Sequence, residues 1–125
     1  MSLRILVLDD QARYGRSLSR ALGRDYEVVV AMRLEEAMEK ATDDIEVVLS
    51  DIRLDPLDPA NRDGLKFISS VRARFPFVPI VAMSAVDDPD VQLDALAAGA
   101  TRFRRKPVVV AQLRTLLAEL ASAAR

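Results

Sequence analysis

The chain has no cysteine and no histidine among its 125 residues. Disulfides and thiolate metal sites are therefore excluded, as is any mechanism that needs an imidazole base, nucleophile or ligand. Neither sign of charge is in excess: 18 basic residues against 19 acidic ones leave a net charge of −1. A nucleic-acid surface requires a basic excess or stripe, so no nucleic acid contact by this domain is expected. No apolar run approaches the roughly 20 residues of a membrane span, and no signal peptide opens the chain. The expectation is a cytoplasmic protein without membrane contact. Glycine-rich phosphate loops are missing too, in both the GxxxxGKS/T and GxGxxG forms, which argues against nucleotide binding. No internal repeat or low-complexity linker divides the sequence, and its length suits one domain over residues 1–125.

What is present is a series of short apolar runs that end in polar residues. Val47, Val48 and Leu49 run into Ser50-Asp51, and Ile5 to Leu8 run into Asp9-Asp10. Such runs read as strands of a parallel sheet buried on both faces. The pattern predicts strands at 4–8, 26–31, 45–50, 78–84 and 101–104. Between and after them it predicts helices at 11–23, 34–41, 64–75, 88–98 and 108–123. Gly23 and Gly99 mark helix ends. Val109, Leu113, Leu116, Leu117 and Leu120 are expected on the inner face of the last helix. That helix reaches Arg125 without a Gly or Pro stop, which fits either a stand-alone domain or, slightly favoured, a domain cut from a longer chain whose helix continues.

Strict alternation of strand and helix implies an α/β fold, a doubly wound parallel sheet with helices on both faces. Right-handed crossovers leave few topologies, among them the flavodoxin-like (βα)5 order 2-1-3-4-5. In that order the first and third strands are neighbours, and ligands bind at the carboxyl ends of the strands. Asp9, Asp10 and Asp51 would then share one rim. Two like charges about 4 Å apart repel by roughly 4 kcal/mol at an effective dielectric near 20. A cation removes that penalty, and an all-oxygen donor set suits a hard ion such as Mg²⁺. The fourth strand ends on Ser84 and the fifth leads to Lys106-Pro107, which adds a hydroxyl and an ammonium at the same rim. Carboxylate, hard cation, lysine and hydroxyl together are what phosphoryl transfer to an aspartate requires, with Asp51 as acceptor. Singly, each has a plainer reading: a carboxylate after a strand is usually a turn or cap residue, and a Lys-Pro is usually a solvated turn.

These motifs, in this order, resemble the receiver domains of bacterial two-component response regulators, of the chemotaxis-regulator type. The match extends over essentially the whole chain: ILVLDD, VVLSDIRLD, DGLKFI, PIVAMSA and GATRFRRKP. The resemblance implies that Asp51 is phosphorylated from the phosphohistidine of a sensor histidine kinase or phosphotransfer protein. It implies that Asp10 and Asp51 bind Mg²⁺, that Asp9 acts mainly through water, and that Arg53 supplies a backbone carbonyl. Lys106 and Ser84 would contact the phosphoryl group, with Ser84 and Phe103 as the switch pair. The Lys106-Pro107 bond would be cis. The surface of the fourth helix, fifth strand and last helix would change on phosphorylation. Phe103, lacking a hydroxyl to hold it at the surface, is expected to lie largely inward without phosphate. A downstream effector domain or a homodimer would read the switch. The chain would be a signalling domain that takes part in its own phosphorylation and dephosphorylation, not a metabolic enzyme.

One stretch departs from the family pattern. Asp63-Gly64 follows Asp51 by twelve and thirteen residues, a longer loop than usual. It contains Asp55-Pro56 and Asp58-Pro59, which read as turns, and the whole segment is expected to cover the site as a surface lid. Arg102, Arg104 and Arg105 read as a solvated strand edge. Two competing functions use the same fold. A receiver-like interaction module independent of phosphorylation would not need Asp9, Asp10, Asp51, Ser84 and Lys106 together. A Mg²⁺-dependent phosphatase of small substrates would need an Asp-x-Asp pair after the first strand and a cap domain, and the chain has neither.

Overall fold

The computed structural model describes residues 3–55, 57–58, 60–85 and 89–123. Five strands, β1 (Leu3–Leu8), β2 (Tyr26–Ala31), β3 (Val47–Asp51), β4 (Ile80–Ser84) and β5 (Arg102–Arg105), form one sheet. All neighbours are parallel, as the alternating pattern predicts, and the order is β2-β1-β3-β4-β5, the flavodoxin-like one expected among the few allowed. The helices are α1 (Ala12–Leu22), α2 (Leu34–Lys40), α3 (Asp63–Arg74), α4 (Pro89–Ala98) and α5 (Val110–Ala123).

The apolar runs are continuous because both faces of the sheet are covered. Successive side chains of a strand point to opposite faces. Leu6, Leu8, Val48, Ile80 and Ala82 therefore join Phe67, Ile68, Val71, Val91 and Ala95 of α3 and α4 on one side. Ile5, Val7, Val47, Leu49, Val81 and Met83 join Leu18 and Leu22 of α1 and Leu113, Leu116, Leu117 and Leu120 of α5 on the other. Fully burying a side chain of this size contributes roughly 1.5–3 kcal/mol.

Element ends differ from expectation by one or two residues. The largest effect is on Val109, which is 57% exposed. α5 begins only at Val110, so Val109 belongs to the turn before it, and Val108 and Val110 pack inward instead. Gly23 ends α1 with right-handed torsions, φ −66° and ψ −12°. Gly99 stops α4 with φ +123°, a left-handed conformation that favours glycine. The expected helix start at Asp88, the turn prolines Pro56 and Pro59, and the tail residues Ala124 and Arg125 lie outside the described residues.

At the amino ends of β4 and β5, Arg72 of α3 closes the corner. Its Nε and Nη2 donate to the Gly99 carbonyl at 3.0 and 2.9 Å. Its Nη1 donates to the Pro76 carbonyl at 3.0 Å, and its Nη2 reaches Thr101 Oγ1 at 3.3 Å. The same Thr101 oxygen accepts from the Ile80 N–H at 3.1 Å.

Candidate functional site

The ladders bring the strand ends level. Leu8 pairs with Ser50, so the next residues, Asp9 and Asp51, come side by side. Asp51 pairs with Met83, which puts Ser84 one residue further out. Ser84 pairs with Arg105, and its carbonyl accepts from the Lys106 N–H at 2.9 Å. Four strands thus deliver Asp9, Asp51, Ser84 and Lys106 to one rim. Carboxylate oxygens of Asp9, Asp10 and Asp51 all lie within 4.8 Å of one another. That oxygen-only arrangement fits a hard divalent cation.

Lys106 is central to the cluster. Its ammonium donates to Asp9 Oδ2 at 2.7 Å and to Asp51 Oδ2 at 3.2 Å. Asp9 is fully buried, Asp51 is 6% exposed and Ser84 3%. The second oxygen of Asp51 accepts from the Ile52 N–H at 2.9 Å. Asp9 Oδ1 accepts from the Gln11 N–H at 2.8 Å, so this carboxylate is both a turn residue and a member of the cluster. The Lys106-Pro107 bond is cis.

Burial pushes the Asp51 carboxyl up to about 6, outweighing the opposing pull of Lys106, with Asp9 and Asp10 adding to the rise. Burial pulls the Lys106 ammonium down, but the Asp9 hydrogen bond and the charges of Asp51 and Asp9 more than reverse it. The net direction is up, so Lys106 stays charged. Asp51 is still mostly ionised near neutral pH and is available as a nucleophile.

A cavity of about 240 Å³ opens over the rim, lined by Asp10, Asp51, Arg53, Ser84 and Lys106 together with Gln11, Tyr14, Ala85 and Pro107. Every expected site residue except Asp9 and Phe103 lines it. Asp9 lies beneath, reached through Lys106. Phe103 is half-buried against the α3–α4 side of the core, the inward position expected of it. Arg102, Arg104 and Arg105 are exposed.

The long loop after Asp51 meets the cavity through Arg53, near its start. Among the described residues from Leu54 to Arg62, none lines the cavity. Asp55 Oδ1 accepts from the Leu57 N–H and Asp58 Oδ1 from the Ala60 N–H, each at 2.9 Å. These bonds hold the aspartates in their own turns, as the plainer reading of Asp-Pro pairs predicts. Asn61 closes the loop, its Oδ1 accepting from the Leu54 and Asp63 N–H groups at 2.9 and 3.1 Å.

Tyr14 is the residue that the sequence pattern did not place in the site. Its ring centroid lies 4.5 Å from the Lys106 ammonium, and its hydroxyl accepts from the Val108 N–H at 3.3 Å. Burial pushes that hydroxyl up, so it remains protonated. The available signal was its position in the first turn of α1, four residues past Asp10.

Comparison with known proteins gives a consistent picture. The family described as the response regulator receiver domain matches over residues 5–118. The transcriptional regulatory protein ZraR of Klebsiella oxytoca is 31% identical over 117 residues, which are 92% of this chain and 25% of that protein. The transcriptional regulatory protein PrrA of Mycobacterium tuberculosis is 33% identical over 114 residues, 90% of this chain and 47% of that one. The chain thus spans a quarter to about half of these relatives. A CheY-like receiver domain from Methanospirillum hungatei superposes with a TM-score of 0.88 at 23% identity, covering 99% of this chain and 97% of that one.

Proposed function

Since the chain belongs to the family of response regulator receiver domains, the signalling domains of two-component systems, we propose that Asp51 is its phosphorylation site. One observation carries the reading: the Asp9, Asp10 and Asp51 carboxylates converge within 4.8 Å beside an ammonium bonded to two of them. In this reading Asp51 attacks the phosphorus of a phosphohistidine on a sensor histidine kinase or phosphotransfer protein. The Oδ–P bond forms, the P–N bond breaks, and the departing imidazole takes up a proton. Asp10 and Asp51 would hold Mg²⁺ directly, Asp9 through water, and Arg53 by its backbone carbonyl. When bound, the ion offsets charge on the moving phosphoryl oxygens.

Lys106 then exchanges its bond to the Asp51 carboxylate for one to a phosphoryl oxygen and keeps Asp9 as its second partner. Ser84, at the cavity wall, donates its hydroxyl proton to another phosphoryl oxygen. That draws the end of β4 toward the site, Phe103 follows, and the α4–β5–α5 surface changes for an effector domain or a second copy to read. The domain acts in the cytoplasm, without nucleic acid or membrane contact of its own, and takes part in its own dephosphorylation. None of the described helices is long and apolar enough to cross a membrane. An interaction module independent of phosphorylation would not need Asp9, Asp10, Asp51, Ser84 and Lys106 at one rim, which favours the phosphoacceptor reading over it.

The test is incubation with acetyl phosphate and Mg²⁺, read by intact mass. One added phosphoryl group is expected, prevented by EDTA and absent in Asp51→Asn. Equal labelling of the Asn variant would reject the assignment.

A further inference from the structure

We propose that Tyr14 is a positioning residue for Lys106, its ring face holding the ammonium where it serves the phosphoryl group arriving at Asp51. The inference rests on the phosphoacceptor reading above and adds a residue to it. Lysine is a point charge on a flexible four-carbon stem, with three N–H donors. Among the described residues the hydrogen-bond acceptors for the Lys106 ammonium are Asp9 Oδ2 and Asp51 Oδ2. The Tyr14 ring offers a third attraction at 4.5 Å, well inside the roughly 6 Å over which an aromatic face attracts a cation.

The ring is itself anchored. α1 supplies Tyr14, and the hydroxyl is tied to the Val108 N–H at 3.3 Å. The same side chain thus reaches both flanks of Lys106-Pro107 and bridges α1 to the β5–α5 turn across the edge of the cavity that both line. Its body is half-buried. That shields one side of the ammonium from water, where the attraction between cation and ring is stronger than at an exposed site.

This arrangement suits a lysine that must change partner. Aspartate oxygens fix an ammonium along particular directions, whereas a ring face attracts it over a range of positions. Lys106 can therefore exchange the Asp51 carboxylate for a phosphoryl oxygen without losing its third contact. A rim lysine without such a contact would spread over more rotamers and spend less time aimed at the transferring group.

The test uses the whole domain with Tyr14→Phe and Tyr14→Leu. Phenylalanine keeps the ring and loses the bond to Val108. Leucine keeps apolar bulk and loses the aromatic face. With acetyl phosphate and Mg²⁺, the Asp51 Oδ–P bond forms as the P–O bond to acetate breaks and acetate leaves with the electron pair. Mass-resolved labelling rates should stay within about twofold of wild type for the Phe variant and fall about tenfold for the Leu variant. The second readout needs neither donor nor metal: the Lys106 Cε protons should be shifted upfield by the ring in wild type and Phe variant, and return to ordinary positions in the Leu variant. A merely structural role would lower the melting temperature without that pattern. Wild-type labelling rates in the Leu variant, a Phe variant as slow as the Leu variant, or unshifted Lys106 protons in wild type would each overturn the proposal. A wild-type protein that takes no label overturns the proposed function instead, and the proton shifts still decide whether Tyr14 holds Lys106.

Discussion

Gly64 lies directly against Asp51. A Cβ built on Gly64 would come within 1.9 Å of the Asp51 carbonyl oxygen and 2.6 Å of Ile52 Cα. The Gly64 N–H donates to the Ile52 carbonyl at 2.9 Å. The first turn of α3 is thus seated on the backbone that carries Asp51, the proposed phosphoacceptor, and only hydrogen fits between them. Gly64→Ala should cost about 1–3 kcal/mol of stability, the usual range for overpacking a close contact, and should slow labelling of Asp51 because the residue is displaced. Denaturant unfolding and labelling rate test this together; a variant unchanged in both would mean that the contact relaxes freely.

Asp10→Asn removes one carboxylate from three that repel. Mg²⁺ affinity should fall by at least tenfold, while stability in EDTA should stay level or rise. Isothermal titration and unfolding in EDTA separate the two effects. Undiminished Mg²⁺ affinity, or a large loss of metal-free stability, would contradict the clustered-carboxylate site.

The Asp51 carboxyl, raised by burial from an ordinary value of 3.8 to about 6, makes metal-free stability depend on pH. The folded state holds this proton more tightly than the unfolded chain does. The resulting stabilisation is complete below about pH 4 and is lost as pH rises through 6. Asp51→Asn lacks that titration. Its stability advantage over wild type should therefore grow between pH 4 and pH 7, by up to about 3 kcal/mol. Paired unfolding curves in EDTA at several pH values check this, and a constant difference would refute it.

Ser84→Ala should still accept phosphate at Asp51, because the proposed nucleophile and the carboxylates that would hold the cation are intact. It should transmit less of the response to the α4–β5–α5 surface. Amide exchange across that surface, with and without acetyl phosphate, is the measurement. An identical response in wild type and variant would remove Ser84 from the switch.

Much of this architecture is legible in the sequence for a physical reason. Strands buried on both faces must be apolar throughout, so Ile5 to Leu8 and Val47 to Leu49 stand out, and the polar residues that end them mark the functional rim. Asp9, Asp10, Asp51 and Ser84 are each found in this way, whereas Lys106 follows the exposed, arginine-rich β5 and is found from its place after the last strand in GATRFRRKP. Tyr14 is not, since on its own helix it reads as one more inward apolar residue; its meeting with Lys106 joins positions far apart in the chain. The role of Gly64 was hidden for the same reason, because the crowding that requires glycine exists only once α3 folds back on β3. The long loop is the stretch whose role is least legible. Its position after Asp51 suggests a lid, and the short-range bonds from Asp55, Asp58 and Asn61 that set its turns cannot be read from that position.

The Arg72 corner gives the β4–β5 pair a fulcrum. Its guanidinium, with Thr101 and the Ile80 N–H, fastens the amino ends of both strands to α3. Ser84 lies four residues away along β4, about 13 Å at strand rise. β4 is laddered to β3 as far as Met83, so Ser84 is the first β4 residue past that ladder. In the proposed switch, a pull on Ser84 would therefore act most on the carboxyl end of β5, with Phe103, paired to Ala82, nearer the Arg72 anchor and moving less.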